Sequence, residues 1–136
     1  MFAIQQLSAP IGRFLLSLIF VMSGVNKLGE FEATQGYMDA MGVPGILLPI
    51  VIITEIVGGI AIILGWKTKI AAFGLAGFTF LSAVLFHADF SNTTDIISFM
   101  KNLAITGAFL LLVAQGAGAY SLDNRATRHI KKQEAQ

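Results

Sequence analysis

From Ile46 to Leu64 the chain reads ILLPIVIITEIVGGIAIIL, nineteen residues in which Glu55 is the only ionisable side chain. As a helix rising about 1.5 Å per residue, such a run is long enough to cross the roughly 30 Å hydrocarbon layer of a bilayer. Pro44-Gly45 is a turn signal directly before it, and Pro49 stands in its first turn, where a missing N–H costs least, so the helix starts close to Ile46. Three further apolar stretches flank it: Ile11 to Val25, Ile70 to Phe86 and Ile96 to Ala114. The first and third of the four reach spanning length only with their flanks. The pattern predicts helices over about 9–28, 46–65, 69–87 and 96–115. The expected fold is all-α, an integral membrane four-helix bundle over residues 1–123 with a basic cytoplasmic tail over 124–136.

Composition agrees with a chain that needs lipid. Of 136 residues, 55% are hydrophobic and 12% charged, about half the charged share of a soluble domain. The absence of cysteine excludes disulfide exchange and thiolate metal or iron–sulfur sites. A net charge of +1, with basic residues dispersed or terminal, gives no electrostatic case for nucleic acid. The first apolar segment lacks a basic leader and a small-x-small cleavage signal, so it is expected to be a retained helix.

The loops orient the bundle. The first connection carries Glu30, Glu32 and Asp39, and the third carries His87, Asp89 and Asp95. The second is the basic Trp66-Lys67-Thr68-Lys69, and the tail holds Arg125, Arg128, Lys131 and Lys132. The positive-inside bias places the second loop and both termini in the cytoplasm, with Trp66 and Tyr120 at the cytoplasmic surface.

Ionisable groups within apolar segments cost roughly 2.5–3.5 kcal/mol at the membrane centre, so each is a candidate site. Glu55 lies near the midplane, with Gly59 one turn away on the same face for close helix approach. It reads either as a proton-handling or ligand-binding carboxylate or as an interhelical hydrogen-bonding group that fixes the bundle. The other glycines of the helices, Gly58, Gly74, Gly77 and Gly107, are expected to serve close packing. Arg13, Ser17, Gly24 and Lys27 form one stripe along the first helix and are expected to face the bundle. Arg13 is expected to snorkel to the interface, about 21 Å from Lys27 along the helix.

Lys101 and Asn102 fall inside the apolar layer of the fourth helix, and a lysine near a helix N-terminus opposes the dipole. A partner carboxylate is expected, Glu55 first and Asp89 or Asp95 next, the alternative being a water-filled funnel. His87 ends the third helix, where a lone histidine is commonly an interfacial hydrogen-bonding group. Topology gathers Lys27, His87, Asp89, Lys101 and Asn102 at one depth, which predicts an outward-opening polar pocket floored by Glu55.

These residues also carry a resemblance. Arg13, Ser23-Gly24 and Lys27, the run Tyr37 to Gly45, Glu55 with Gly58-Gly59, Phe86-His87, Lys101-Asn102-Leu103 and Gly118 to Ser121 occur in an order that resembles the DoxX family of small bacterial inner-membrane proteins, particularly its YqjF-like members. The resemblance runs from about Ile11 to Leu122. It implies a four-helix bundle in the bacterial inner membrane and, from some relatives, a membrane subunit of a quinone-linked oxidoreductase, with a quinone as ligand and a soluble redox partner. Two histidines, one of them in the tail, make bis-histidine haem an improbable cofactor, and no metal site is expected. Two other functions fit the residues: transport of a small solute or proton with Glu55 switching, which four helices would serve as a homodimer, or a structural and assembly role for the buried charges.

Overall fold

The computed structural model describes residues 2–136. It is all-helical among them. Four helices are long and apolar enough to span a membrane: α1 (Phe2–Gly29), α3 (Leu48–Leu64, entered through a single 3-10 turn at Gly45–Leu47), α4 (Thr68–Phe86) and α5 (Thr93–Gln115). Two further helices lie outside that set. The short α2 (Phe31–Ala40) occupies the first connection, and α6 (Leu122–Glu134) forms the tail.

Local chemistry explains the boundaries. α1 runs through Pro10 and ends at Gly29, extending beyond the apolar stretch at both ends. Asp39 closes the turn after α2 by accepting the Gly45 N–H at 2.7 Å, while the Gln35 amide donates to the Gly45 carbonyl at 3.2 Å. α3 stops at Gly65, whose φ of 69° lets the next N–H, that of Trp66, return to the Ala61 carbonyl at 2.9 Å. α5 starts one turn earlier than hydropathy indicates, because Asn92 caps it by accepting the Thr94 N–H at 2.9 Å.

The spanning helices pack in sequence, α1 on α3, α3 on α4 and α4 on α5. Phe20, Ile62, Ala72, Leu75, Ala76 and Phe109 make the main core. The rings of Phe20 and Phe109 meet edge-to-face with centroids 5.3 Å apart, joining α1 to α5. Met38, Leu48 and Ile52 form a second cluster that seats α2 against α3. Large side chains such as Ile70, Phe73, Leu81, Ile97 and Leu111 are exposed along the helices, as lipid-facing residues are.

Gly24 and Gly59 explain why α1 and α3 run so close. A Cβ on Gly24 would lie 2.5 Å from Ile56 Cγ1, and one on Gly59 would lie 2.8 Å from Val21 Cγ2. Gly58 does the same towards Leu75 of α4, at 3.2 Å. Gly74, Gly77 and Gly107 depart from the packing role expected of them: a Cβ there would meet nothing within 4 Å. They face outward, a distinction that depends on helix rotation and not on residue type.

At the end of the bundle carrying the basic loop, Arg13 corrects the snorkelling expectation. It is 2% exposed, and its Nη1 donates to the carbonyls of Ile62 and Ile63, both at 3.0 Å, while Nη2 donates to the Tyr120 carbonyl. The guanidinium thus satisfies the Ile63 and Tyr120 carbonyls and shares that of Ile62 with the Gly65 N–H, at the C-terminus of α3, where a cation also suits the helix dipole. Ser17, one turn along α1, is fully buried. Asp123 completes the junction from the tail. Its carboxylate accepts the N–H groups of Lys67 at 2.7 Å and Thr68 at 2.9 Å, capping α4, and its own N–H donates to the Gly65 carbonyl at 2.9 Å.

Candidate functional site

The opposite end of the bundle holds the remaining buried charge. Lys27, in the last turn of α1, meets Glu55 of α3 with Nζ 3.0 Å from Oε1 and 3.1 Å from Oε2. Lys27 also donates to Ser23 Oγ at 2.6 Å, and the Ser23 hydroxyl donates to Glu55 Oε1 at 3.2 Å. Glu55 is 4% exposed and Lys27 is part-buried. The close passage at Gly24 sets this triad, because its missing Cβ lets Ser23 and Lys27 reach across to α3.

Lys27 therefore takes the place expected of Lys101. The polar stripe of α1 turns Lys27 inward as its spacing predicts, whereas the apolar stretch of α5 leaves that helix's rotation open and Lys101 remains exposed. Among the described residues no ion pair joins Lys101 to Glu55, Asp89 or Asp95.

A cavity of about 210 Å³ lies beside the triad, lined by Ser23, Lys27, Glu55, His87, Lys101 and Asn102 together with Phe20, Thr79 and Ser82. All four spanning helices contribute to its wall. Asp89 is the exception among the expected members: it is not in this lining, and it accepts the N–H and hydroxyl of Ser91 in the exposed α4–α5 turn. Those bonds, the hydroxyl first, hold its carboxyl below the usual carboxylate range. His87 Nδ1 instead faces Asp95 Oδ1 across that turn at 4.0 Å, an ionic contact only when the imidazole is protonated.

A second cavity of about 350 Å³ adjoins the first and shares Lys27, Glu55, Phe78, Ser82 and His87 with it. Its remaining wall is largely apolar: Met38, Val43, Leu47, Val51, Leu81 and Leu85. Tyr37 of α2 stacks on Phe86 of α4 with ring centroids 5.6 Å apart, roofing this chamber. Tyr37, Thr79 and Ser82 were not read from the sequence as site residues. Thr79 and Ser82 sit a turn apart in α4, whose C-cap is His87, a spacing that places them on one face. Among the described residues no cluster of histidine and carboxylate groups is arranged to hold a metal ion.

The sequence pattern of the DoxX family matches residues 9–88, from α1 to the end of α4. The chain belongs to the DoxX family. Two relatives of this DoxX-family chain, both from Escherichia coli strain K12, are named inner membrane proteins. YqjF is 45% identical over 120 residues, covering 88% of this chain and 92% of its own. YphA is 38% identical over 122 residues, covering 85% and 87%. A protein of Haemophilus influenzae described as uncharacterized is 36% identical over 117 residues, covering 83% and 86%. No solved structure matches. With its four candidate spans, the DoxX-family chain is a multi-pass inner-membrane protein.

Proposed function

We propose that the protein is a quinone-linked, oxidoreductase-associated membrane subunit whose polar cavity receives the carbonyl head group of a quinone. The observation that carries this reading is the pairing of a polar cavity with an adjoining apolar one across a shared wall of Lys27, Glu55, Ser82 and His87. A quinone needs hydrogen-bond donors at its oxygens and apolar walls for its ring and tail. Lys101, His87 and Asn102 supply donors on one side, and Met38, Val51 and Leu85 supply apolar wall on the other. Lys101 has no ion-pair partner among the described residues, so its ammonium suits an oxygen that gains negative charge on reduction.

Electrons must then come from a soluble redox partner, since two histidines and no cysteine leave the chain without an evident redox centre. In this reading the basic end, with both termini, faces the cytoplasm, and the cavity opens towards the outer leaflet.

Organic extraction and mass spectrometry of mildly purified protein tests the proposal. Stoichiometric quinone is expected with the wild type and is expected to be lost in folded Lys101→Ala and Glu55→Ala variants. Its absence from the wild type overturns the reading. The Lys27–Glu55 pair favours a second one, in which the buried charges serve bundle assembly or, with Glu55 switching, transport by a homodimer. Glu55-dependent flux in proteoliposomes distinguishes transport from assembly.

A further inference from the structure

The tail helix α6 is tethered at its first turn and packs closely against no other described helix. Ser121 caps its first turn by accepting the Asn124 N–H at 3.2 Å, and Asp123 binds it to Gly65, Lys67 and Thr68. From Arg125 to the end every residue is exposed, and α6 makes no substantial contact with any other described helix. At about 100° per residue, Leu122, Ala126 and Ile130 fall on one stripe, while Arg125, Arg128 and Lys132 fall on the neighbouring arc, with Lys131 beyond them. Lys67 and Lys69 stand exposed in the loop to which α6 is tied.

We propose that α6 lies on the bilayer surface as an amphipathic clamp selective for anionic phospholipid head groups. The bilayer is the one partner necessarily within reach, because the tether fixes α6 at the ends of two membrane-spanning helices. Exposed Trp66 and Tyr120 beside the tether mark the interfacial level. The apolar stripe is narrow, so burial of Leu122 and Ile130 alone gives weak attachment. Charge decides the lipid. Arg125, Arg128, Lys131 and Lys132 face only Asp123, already engaged in capping α4, and Glu134 within the helix. Each basic residue close to an anionic surface changes the attached-to-detached ratio by about fivefold, and the effect fades with salt.

The cysteine-free chain permits a direct test in the full-length protein. Ile130→Cys carrying an environment-sensitive fluorophore is reconstituted in nanodiscs of phosphatidylcholine alone or of phosphatidylcholine with phosphatidylglycerol, and quenched with neutral acrylamide. Blue-shifted, quench-protected emission is expected only with phosphatidylglycerol, reversing at high salt. A Thr127→Cys label, off both stripes, is expected to remain quenchable in both. Replacing Arg125, Arg128, Lys131 and Lys132 by glutamate in the Ile130→Cys background should restore quenching. Equal emission in the two lipids, indifference to charge reversal, or protection that appears only when a soluble protein is added would overturn the proposal. None of these readouts depends on the quinone cavity.

Discussion

Lys27 bonds both carboxylate oxygens of Glu55, at 3.0 and 3.1 Å, and in doing so links the last turn of α1 to the middle of α3. With Glu55 buried and Lys27 part-buried, removing one partner strands the other's charge, which costs up to about 3–5 kcal/mol, whereas removing both can be close to neutral. Lys27→Met should therefore destabilise the protein strongly, Glu55→Met likewise, and the double variant should recover most of the loss. A double-mutant cycle on unfolding in detergent checks this. Additive single effects would show that the pair contributes nothing as a pair.

Arg13 is a sharper structural test, because its three bonds go to backbone carbonyls and no side chain can rearrange to replace them. Lysine retains the charge but lacks the planar fork that spans Ile62, Ile63 and Tyr120. Arg13→Lys is expected to cost about 1–3 kcal/mol and Arg13→Met more, since the Ile63 and Tyr120 carbonyls then lose their donor while Ile62 keeps the Gly65 N–H. Protease access to the Tyr120–Asp123 segment should rise in parallel. Unchanged stability and access in Arg13→Met would show that the junction does not depend on the guanidinium.

What the sequence made legible was depth. Apolar run lengths place four spans, and the alternation of acidic and basic loops brings Lys27, His87, Lys101 and Asn102 to one level, where a single cavity contains all four. Rotation is legible only in α1, whose stripe of Arg13, Ser17, Gly24 and Lys27 does face the bundle; α4 and α5, apolar on nearly every side, carry little phase. That is why Lys101 is the sequence's first partner for Glu55, and why Gly58 is not separated from Gly77 as a contact position there. The short α2 was hidden in a connection read only for its charge. Asp123 gave no signal at all, since its partners are the backbone N–H groups of Lys67 and Thr68.

The glycines turn that distinction into an experiment. Gly24→Ala places a methyl 2.5 Å from Ile56 Cγ1 and 3.3 Å from Glu55 Cβ, so α1 or the Ile56 side chain must shift. Overpacking of this kind costs about 1–3 kcal/mol. Gly77→Ala enters open space in a helix interior, where alanine is favoured over glycine by roughly 0.5–1 kcal/mol. Thermal unfolding of the two variants should move in opposite directions. A stabilised Gly24→Ala would mean that α1 and α3 are not held at this separation.

Asp123 gives the junction a pH dependence of known sign. Burial pushes its carboxyl up, but the N–H groups of Thr68 and Lys67 and the charge of Arg13 outweigh that and hold it below its ordinary value. A carboxyl depressed in the folded state stabilises fully above its unfolded value of about 3.9, and that stabilisation is lost as pH falls through the lower folded value. The tether of α6 should therefore be intact at neutral pH and loosen only in strong acid. Trp66, the only tryptophan, adjoins the Lys67 N–H that Asp123 accepts, so its emission reports the change. The wild type should show an acid transition below the ordinary carboxylate range, and Asp123→Asn, already lacking the charge, should show none there. A transition of the same midpoint and size in both would assign it to another carboxylate, leaving the tail held without Asp123.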